Sequence, residues 1–266
     1  MKKVFAVILL SGFIFACSTV PLTGRKQLNL LPESQLQQMS LAEYNSFLSE
    51  SKVVTNTDQA AMVRRVGERI AASATSYLKK VGYADRIAGY KWEFNLVDDK
   101  AVNAWCMPGG KVVVYTGILP VTKTEAGLAT VMGHEISHAI AQHGNERMSQ
   151  QMAVQIGGVA LDAALVTQPA ETRNLFLTSY SIGTTLGVIL PYSRKHESEA
   201  DKLGLAFMAM AGYDPHEAVD FWTRMAAVGG GKPPQFMSTH PSDEKRIADL
   251  KKFLPEAMKV YKPREN

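Results

Sequence analysis

The sequence predicts a mostly helical α+β fold with one small antiparallel sheet, and three observations indicate this class. Apolar residues recur three and four positions apart through most of the chain after residue 32, which is the spacing of amphipathic helices. Between residues 91 and 116 the spacing changes to alternation among β-branched and aromatic residues, as in strands. The chain is 46% hydrophobic and has no internal repeat, so residues 32–266 are predicted to form a single domain around one core.

The first sixteen residues have the features of a bacterial lipoprotein signal peptide. A Lys-Lys pair precedes an apolar run, residues 4–15, that is too short to cross a membrane as a helix. The run leads into Ile-Phe-Ala-Cys at residues 14–17, which resembles the lipobox, where cleavage precedes an acylated cysteine. We therefore expect acylation of Cys17 and a tether over residues 17–31. A plain secretory signal with an incidental cysteine is the alternative.

Acylation would attach the protein to a membrane, because two or more acyl chains bind a bilayer stably. By resemblance to the sorting rule of enteric bacteria, Ser18 favours the periplasmic face of the outer membrane in the cell envelope. The net charge of +4 falls by two when the leader lysines are removed, so no nucleic-acid partner is expected. The only other cysteine, Cys106, would have no partner for an intramolecular disulfide, so stability must come from packing.

Two helices and three strands are predicted before the middle of the chain. The helices cover residues 32–50 and 57–80. Residues 91–97 alternate in the manner of a strand, and residues 101–107 and 111–116 form a predicted hairpin joined by Pro-Gly-Gly.

Residues 131–138 carry the motif around which the rest of the sequence can be placed. It is a His-Glu-x-x-His motif, in which His134 and His138 lie one helical turn apart and can direct both imidazoles at one ion. Glu135 lies roughly 100° around the helix, within reach of a water at the metal. Thr122 and Glu125 form a capping box for this helix, and Gly144 is placed to end it.

The second half of the sequence is predicted to be helical. Residues 145–191 are expected to form two helices that pack on the metal helix; a hairpin that shields the cleft and contacts lipid is the alternative. Neither apolar stretch is uninterrupted over eighteen residues, so no transmembrane helix is predicted. Further helices are predicted over residues 193–211, over 215–227 after a capping box from Asp214 to Glu217, and from Ser242 to Phe253, with a loop at residues 229–234.

A catalytic zinc site needs a third protein ligand in addition to the two histidines. In the metzincin pattern the third ligand is a histidine six residues after the second, and Gly144 occupies that position, so the pattern is excluded. A glutamate from a second helix is the other solution, and Glu197 and Glu199 are the candidates. Asp201 shares a helix face with Glu197, where it could orient a ligating imidazole. Spacing alone does not choose between the two glutamates.

Six motifs together resemble one family of zinc metallopeptidases, of the gluzincin type, across roughly residues 55 to 255. That family includes HtpX, the CAAX-prenyl endopeptidases, the mitochondrial Oma-type proteases and periplasmic BepA. The motifs, in chain order, are Asn103-Ala104, Pro108-Gly109-Gly110, Thr116-Gly117, the His134–His138 motif, Glu197-x-Glu199-Ala200-Asp201, and His240-Pro241 with Arg246. The combination is far more specific than any single motif.

The resemblance implies that one Zn²⁺ per chain is bound by His134, His138 and Glu197. It further implies that Asp201 orients a histidine ligand and that Glu135 is the general base.

For the remaining family positions, the resemblance implies roles for Asn103 and His240 near the substrate or the tetrahedral intermediate, with Arg246 close by. In BepA-like proteins the matching histidine binds the metal in a resting state and must leave for catalysis. Alternatively, His240 caps a turn and Arg246 only pairs with a surface acid. The chain departs from BepA by lacking its tetratricopeptide repeats and from HtpX by lacking membrane spans.

These residues predict metal-assisted hydrolysis of internal peptide bonds in protein or peptide substrates, with misfolded or misassembled envelope proteins as the expected targets. An exposed strand beside the metal would let an extended substrate pair with the sheet, although the same residues are compatible with two core strands. Two alternatives belong to other classes. One is a chaperone-like assembly or quality-control factor for outer-membrane proteins with latent proteolysis. The other is an inactive, zinc-stabilised lipoprotein, which would not require Glu135.

Overall fold

In the computed structural model, residues 17–228, 234–240 and 244–263 are described. The predicted leader, residues 229–233 of the predicted loop and the predicted cap Ser242 lie outside them. The strands are β1 Cys17–Thr19, β2 Lys26–Leu28, β3 Val53–Val54, β4 Glu93–Val97, β5 Ala104–Met107 and β6 Lys111–Tyr115. The helices are α1 Glu33–Glu50, α2 Asp58–Lys80, α3 Leu119–Thr122, α4 Glu125–Ile140, α5 His143–Ala164, α6 Ala170–Thr184, α7 Leu190–Met210, α8 Glu217–Ala227, α9 Gln235–Thr239 and α10 Glu244–Met258. The mostly helical α+β class is thereby confirmed.

The chain separates into two compact units. One comprises residues 1–32, of which 17–32 are described, together with 142–196. The other comprises residues 33–141 and 197–266. The single-domain division of residues 32–266 stays a prediction, and the two units are described separately below.

The larger unit contains a four-stranded sheet in the order β3-β4-β6-β5. The predicted hairpin is confirmed, because β5 and β6 pair antiparallel. The prediction of an antiparallel sheet is wrong at one place, since β4 and β6 run parallel with Phe94 opposite Val112. Alternation of apolar residues determines which face a side chain occupies but not the direction of the neighbouring strand, so the sequence pattern could not reveal this pairing.

Helices cover the sheet and provide the core. Every residue of β6 is buried. On one face, Val97 and Val113 pack against Tyr44 of α1. Helix α2 packs on β4, and α4 packs on both α2 and β5. The metal-motif helix is therefore fixed directly beside β5, which is an edge strand of this sheet.

Helix α4 has different ends from those predicted. Its N-cap is Thr124, whose hydroxyl accepts a hydrogen bond from the Gly127 backbone N at 3.0 Å. Thr122 instead belongs to α3, and its hydroxyl donates to the Leu119 carbonyl. The helix stops at Ile140 because Gln142 adopts a left-handed conformation, φ +56°, so Gly144 is not its end.

Two other helix starts also differ from the sequence prediction. Helix α7 begins at Leu190, where it continues from a π-helical turn over Thr185–Ile189. Helix α8 has no side-chain cap at His216, so the capping box predicted there does not form. Asp214 instead accepts hydrogen bonds from both the backbone and the imidazole of His216.

The smaller unit contains the β1–β2 ribbon and a helical hairpin formed by α5 and α6. No residue of α6 or of the π turn is buried, so the prediction that both helices pack into the core is wrong for the second one. The continuous helix Ala170–Met210 is long and apolar enough to cross a membrane, and none of its most apolar window is buried. The sequence prediction of no transmembrane helix used a stricter criterion, an apolar run uninterrupted over eighteen residues, and serines, threonines and glycines interrupt this one.

Candidate metal centre

Helix α4 presents both motif histidines on one face. The Nε2 atoms of His134 and His138 lie 3.0 Å apart, as expected for residues separated by one helical turn. His134 is buried and His138 is half-buried.

Glu197, near the middle of α7, meets this pair from a second helix. Its Oε2 lies 3.3 Å from His134 Nε2, and its Oε1 lies 3.4 Å from His138 Nε2. The other candidate from sequence spacing, Glu199, is buried and does not belong to the group. The structure therefore brings the carboxylate that the family resemblance selects to the two imidazoles.

A fourth side chain completes the group. His240 follows helix α9, and its Nδ1 lies 3.1 Å from His134 Nε2 and 3.0 Å from Glu197 Oε2. One ligand atom from each of His134, His138, Glu197 and His240 lies within 4.8 Å of all the others. The set of imidazole nitrogens and one carboxylate is the donor type that zinc prefers.

Two glycines allow the metal-motif helix and α7 to approach closely. A Cβ added to Gly204 would lie 2.8 Å from the backbone N of His134, and one added to Gly133 would lie 3.0 Å from the Gly204 carbonyl oxygen. Neither position can accept a side chain without displacing backbone. This contact lies within two turns of Glu197 on α7 and brings that helix close enough for its carboxylates to reach the histidines.

Asp201 and Arg246 contact this group of side chains without belonging to it. Asp201 Oδ1 lies 3.0 Å from His134 Nδ1, and the Arg246 guanidinium donates to the same oxygen at 2.6 Å. Arg246 also donates to Glu197 Oε2 at 3.3 Å. A carboxylate on Nδ1 holds a proton on that nitrogen and leaves Nε2 as the atom that would bind a cation in place of its own proton.

The electrostatics of the cluster favour ionised carboxylates. Burial and the nearby Arg246 would lower the pKa of His134, but the hydrogen bonds that its imidazole donates to the Asp201 and Glu197 carboxylates raise it to about 9. Burial alone would raise the pKa of Glu197 and of Asp201. The adjacent imidazoles and guanidinium outweigh that effect, and both carboxyl pKa values lie below their ordinary range. A divalent cation would take the place of the imidazole protons beside these ionised carboxylates.

Glu135 has an environment that suits proton transfer. It is buried, and burial raises its pKa, while the imidazoles of His240 and His134 oppose that shift. Among the described residues its Oε1 has no hydrogen-bond partner, and His240 Nε2 lies 3.5 Å away. A buried carboxylate oxygen without a hydrogen bond costs free energy unless a water or substrate group occupies the space beside it. The group therefore fits a metal with a reactive water at Glu135.

Asn103 lies apart from this group. Its side-chain oxygen accepts from the Ala104 backbone N at 3.0 Å, at the start of β5. Because β5 packs against α4, Asn103 is at the sheet edge beside the motif helix, and its role near a substrate stays a prediction.

Two aromatic residues that the sequence did not single out also support the centre. The Arg246 guanidinium carbon lies 3.4 Å from the ring centroid of Trp222, and Trp222 packs edge-on to His134. Phe236 stacks with Trp222 and lies against the His240 ring. In the sequence both residues read as ordinary core positions, and no motif distinguishes them.

Comparisons with known proteins agree with this geometry. Residues 57–254 match the sequence profile of Peptidase family M48. The mitochondrial metalloendopeptidase OMA1 of Schizosaccharomyces pombe is 35% identical over 247 residues, which cover 90% of this chain and 66% of the relative. The human metalloendopeptidase OMA1 is 31% identical over the same share of this chain and 46% of its own length. The beta-barrel assembly-enhancing protease of Escherichia coli is 26% identical over 245 residues, which cover 90% of this chain and 48% of the relative. The chain thus spans about half to two thirds of these relatives.

Proposed function

This chain belongs to peptidase family M48, and from that membership and its four-residue group we propose that it is a membrane-anchored zinc metalloendopeptidase. Members of the family are zinc-dependent. The observation that carries the proposal is the convergence of His134, His138, Glu197 and His240 beside a buried, unbonded Glu135 oxygen. A purely structural zinc site would not require that glutamate.

In the active arrangement, His134, His138 and Glu197 would hold one zinc ion. Bound zinc would lower the pKa of a nearby water toward about 7 and polarise the scissile carbonyl of the substrate. Asp201 keeps His134 in the tautomer that binds through Nε2. Arg246 fixes Asp201 and stacks on Trp222, so the orientation of the first imidazole depends on residues from three helices.

Glu135 is the proposed general base. Its free Oε1 accepts the proton of the attacking water and then donates that proton to the amine nitrogen as the peptide bond breaks. A raised pKa suits both steps, since a base with a pKa nearer to neutrality is also a competent acid.

We assign His240 two positions. In the structure its Nδ1 completes a four-residue group, which would leave a metal without an open coordination position. Rotation of His240 away from the group would open that position. Its Nε2, already near Glu135, could then donate to the oxyanion that develops on the substrate, an interaction worth about 3 kcal/mol.

An extended peptide is the proposed substrate. Strand β5 is an edge of the sheet and lies beside α4, so a peptide could add to it by main-chain hydrogen bonds. We propose that Asn103, which directly precedes β5, contacts such a peptide. Unfolded or misassembled proteins of the bacterial envelope are the proposed targets, because only exposed, extended segments can pair with an edge strand.

Acylation of Cys17 would place the enzyme at the periplasmic face of the outer membrane. The lipobox-like residues 14–17 support this location. The relatives named as mitochondrial metalloendopeptidases function in a different compartment, so the anchor is proposed from this chain's own sequence.

The test compares wild type with Glu135→Gln for zinc content and for cleavage of an unfolded model protein, with and without a chelator. We expect equal zinc content and cleavage reduced by at least about 100-fold in the variant. Chelator should abolish wild-type cleavage. Cleavage that persists in Glu135→Gln would contradict the general-base assignment, and a wild type that binds no zinc would contradict the metal site.

A second candidate function is supported by the closed four-residue group. A chaperone-like factor for outer-membrane protein assembly could keep its peptidase latent behind His240, and one relative is named as a beta-barrel assembly-enhancing protease. Cells that carry Glu135→Gln in place of the wild-type chain separate the two functions. Normal outer-membrane protein assembly in those cells would favour the chaperone function, and defective assembly would favour proteolysis.

A further inference from the structure

The helical hairpin of the smaller unit exposes an unusual amount of apolar surface. Ten of the seventeen large hydrophobic side chains exposed among the described residues lie between residues 148 and 190, so this surface is concentrated on α5, α6, their connection and the turn that continues α6 into α7. On α5 they are Met148, Met152, Ile156 and Val159, and on the second arm and the connection they are Val166, Leu175, Phe176, Ile182, Leu186 and Leu190.

Their spacing produces continuous stripes. On α5 the exposed residues are three or four positions apart, and from Leu175 to Leu190 they are mostly four or seven apart, so each helix presents one apolar face. A surface helix of a soluble domain normally buries such a face. Here α6 buries no residue at all, and Val159 is 71% exposed.

The distribution of charge matches a bilayer. Residues 174–193 contain no charged side chain, and 20 helical residues extend about 30 Å, the thickness of a bilayer's hydrocarbon core. Basic residues follow directly at Arg194 and Lys195, and Lys195 lies over the ring of Tyr192, a pairing suited to the headgroup region. At the other end the uncharged stretch is bounded by Glu171 and by Arg173, which forms an ion pair with Asp162.

The hairpin is also joined to the proposed lipid attachment point. Strand β1 begins at Cys17 and pairs with β2, and Arg25 between them donates two hydrogen bonds of 2.7 Å to Glu146 near the start of α5. Tyr180 of α6 donates to the Val154 carbonyl and holds the two helices together. The anchor and the hairpin therefore belong to one compact unit. This step rests on the lipidation proposed above, whereas the previous steps do not.

We propose that the α5–α6 hairpin inserts its apolar stripes into the hydrocarbon of the membrane that carries the protein, and so forms a second membrane contact besides Cys17. The hairpin is a lipid-binding surface with basic residues at its base for anionic headgroups. Anchor and hairpin together would hold the peptidase at the membrane surface, where segments of unassembled membrane proteins are exposed.

The experiment uses the full-length purified protein in vesicles of phosphatidylethanolamine and phosphatidylglycerol. An environment-sensitive fluorophore is attached at Val159→Cys or Ile182→Cys in a Cys106→Ala background. The matched control is Met39→Cys on α1, a residue that is 53% exposed and close to the 55% of Ile182. Lipids with a doxyl group on the acyl chain and aqueous iodide serve as the two quenchers.

We expect the hairpin labels to shift to shorter wavelength in vesicles, to lose emission to the doxyl lipids and to be protected from iodide. The Met39 label should be quenched by iodide only. Adding Leu186→Lys to the Ile182-labelled protein should reduce doxyl quenching, with an unchanged melting temperature as evidence that the variant folds.

Iodide quenching of the hairpin labels in vesicles, equal to that of the control, would overturn the proposal. Protection from iodide without doxyl quenching would also overturn it, because a second protein copy would then cover the stripes. Peptidase activity and the mass of the N-terminal peptide are measured in the same preparation. The mass shows whether Cys17 is acylated, and the activity shows whether the enzyme cleaves its substrate. Failure of either earlier proposal is thereby distinguished from a hairpin that does not insert into the bilayer.

Discussion

At the scale of single residues, the centre depends on side chains that are not proposed ligands themselves but that support the proposed ligands. Asp201 reaches His134 Nδ1 at 3.0 Å, and Arg246 both bonds Asp201 and stacks on Trp222. Loss of a carboxylate that orients a metal-binding histidine typically costs 10–100-fold in metal affinity.

Asp201→Asn should lower zinc affinity by about 10–100-fold and leave the fold intact. The amide oxygen can still accept from Nδ1 but carries no charge to hold the proton there. Competition with a chromogenic chelator measures the affinity. The matched control is Asp214→Asn, which alters a similar Asp–His pair on the surface, where Asp214 lies 2.7 Å from His216. Equal zinc affinity in both variants would contradict the orienting role.

His240→Ala should retain zinc and raise basal cleavage of an unfolded protein. Three protein ligands remain, and the vacated position admits water. Because His240 is also proposed to stabilise the oxyanion, the rise will be limited. On short peptides the kcat of the variant will stay below that of wild-type enzyme whose His240 has rotated away from the group. Zinc content and initial rates measure the effect. Loss of zinc in the variant would show that His240 is a required ligand.

At the scale of elements, the crossing of α4 and α7 determines whether the site forms. Both helices could be predicted from apolar spacing, but their close approach depends on Gly133 and Gly204. Neither glycine belongs to the motifs that indicate the chemistry. The direction of the β4–β6 pair could not be predicted from sequence either, because it depends on chain topology and not on the alternation of apolar residues in either strand.

Gly204→Ala should destabilise the fold by about 1–3 kcal/mol and weaken zinc binding, because its Cβ would lie 2.8 Å from the His134 backbone N. Thermal unfolding and zinc titration measure both effects. The control is Gly144→Ala in α5, where an added Cβ has no neighbour within 4 Å and helix propensity favours alanine by up to about 1 kcal/mol. A Gly204→Ala protein with unchanged unfolding temperature and zinc affinity would contradict the close-packing explanation.

At the scale of the whole molecule, the N-terminal segment is held to its unit by buried charge. Glu146 is buried, accepts from Arg25 and lies 2.9 Å from His196 Nε2. Burial alone would raise the pKa of Glu146, but these partners lower it from 4.5 to about 2. The carboxylate therefore stabilises the folded chain fully above pH 4.5, and this contribution is lost as the pH falls toward 2.

In Glu146→Gln we expect a lower unfolding free energy at neutral pH and a shallower loss of stability between pH 4.5 and 2 than in wild type. The variant lacks the group whose protonation differs between the folded and unfolded states in that range. Denaturant unfolding of both proteins in chelator, across the pH range, measures the difference. Identical slopes would show that the Arg25–Glu146 pair contributes nothing to acid stability.

The sequence by itself determined the helical class, the hairpin, the metal motif and the family resemblance. Each of these features can be recognised from residue types and from their spacing over short stretches of the chain. Residue spacing left Glu197 and Glu199 open and the family resemblance implied Glu197, but only the tertiary structure showed that the Glu197 carboxylate meets the histidines. Only the tertiary structure showed that Trp222 supports Arg246 and that the hairpin leaves its apolar stripes exposed. Those outcomes depend on how distant helices cross and rotate. Gly133 and Gly204, which no sequence motif distinguishes, determine that crossing because the absence of a side chain at each lets the two helices approach closely.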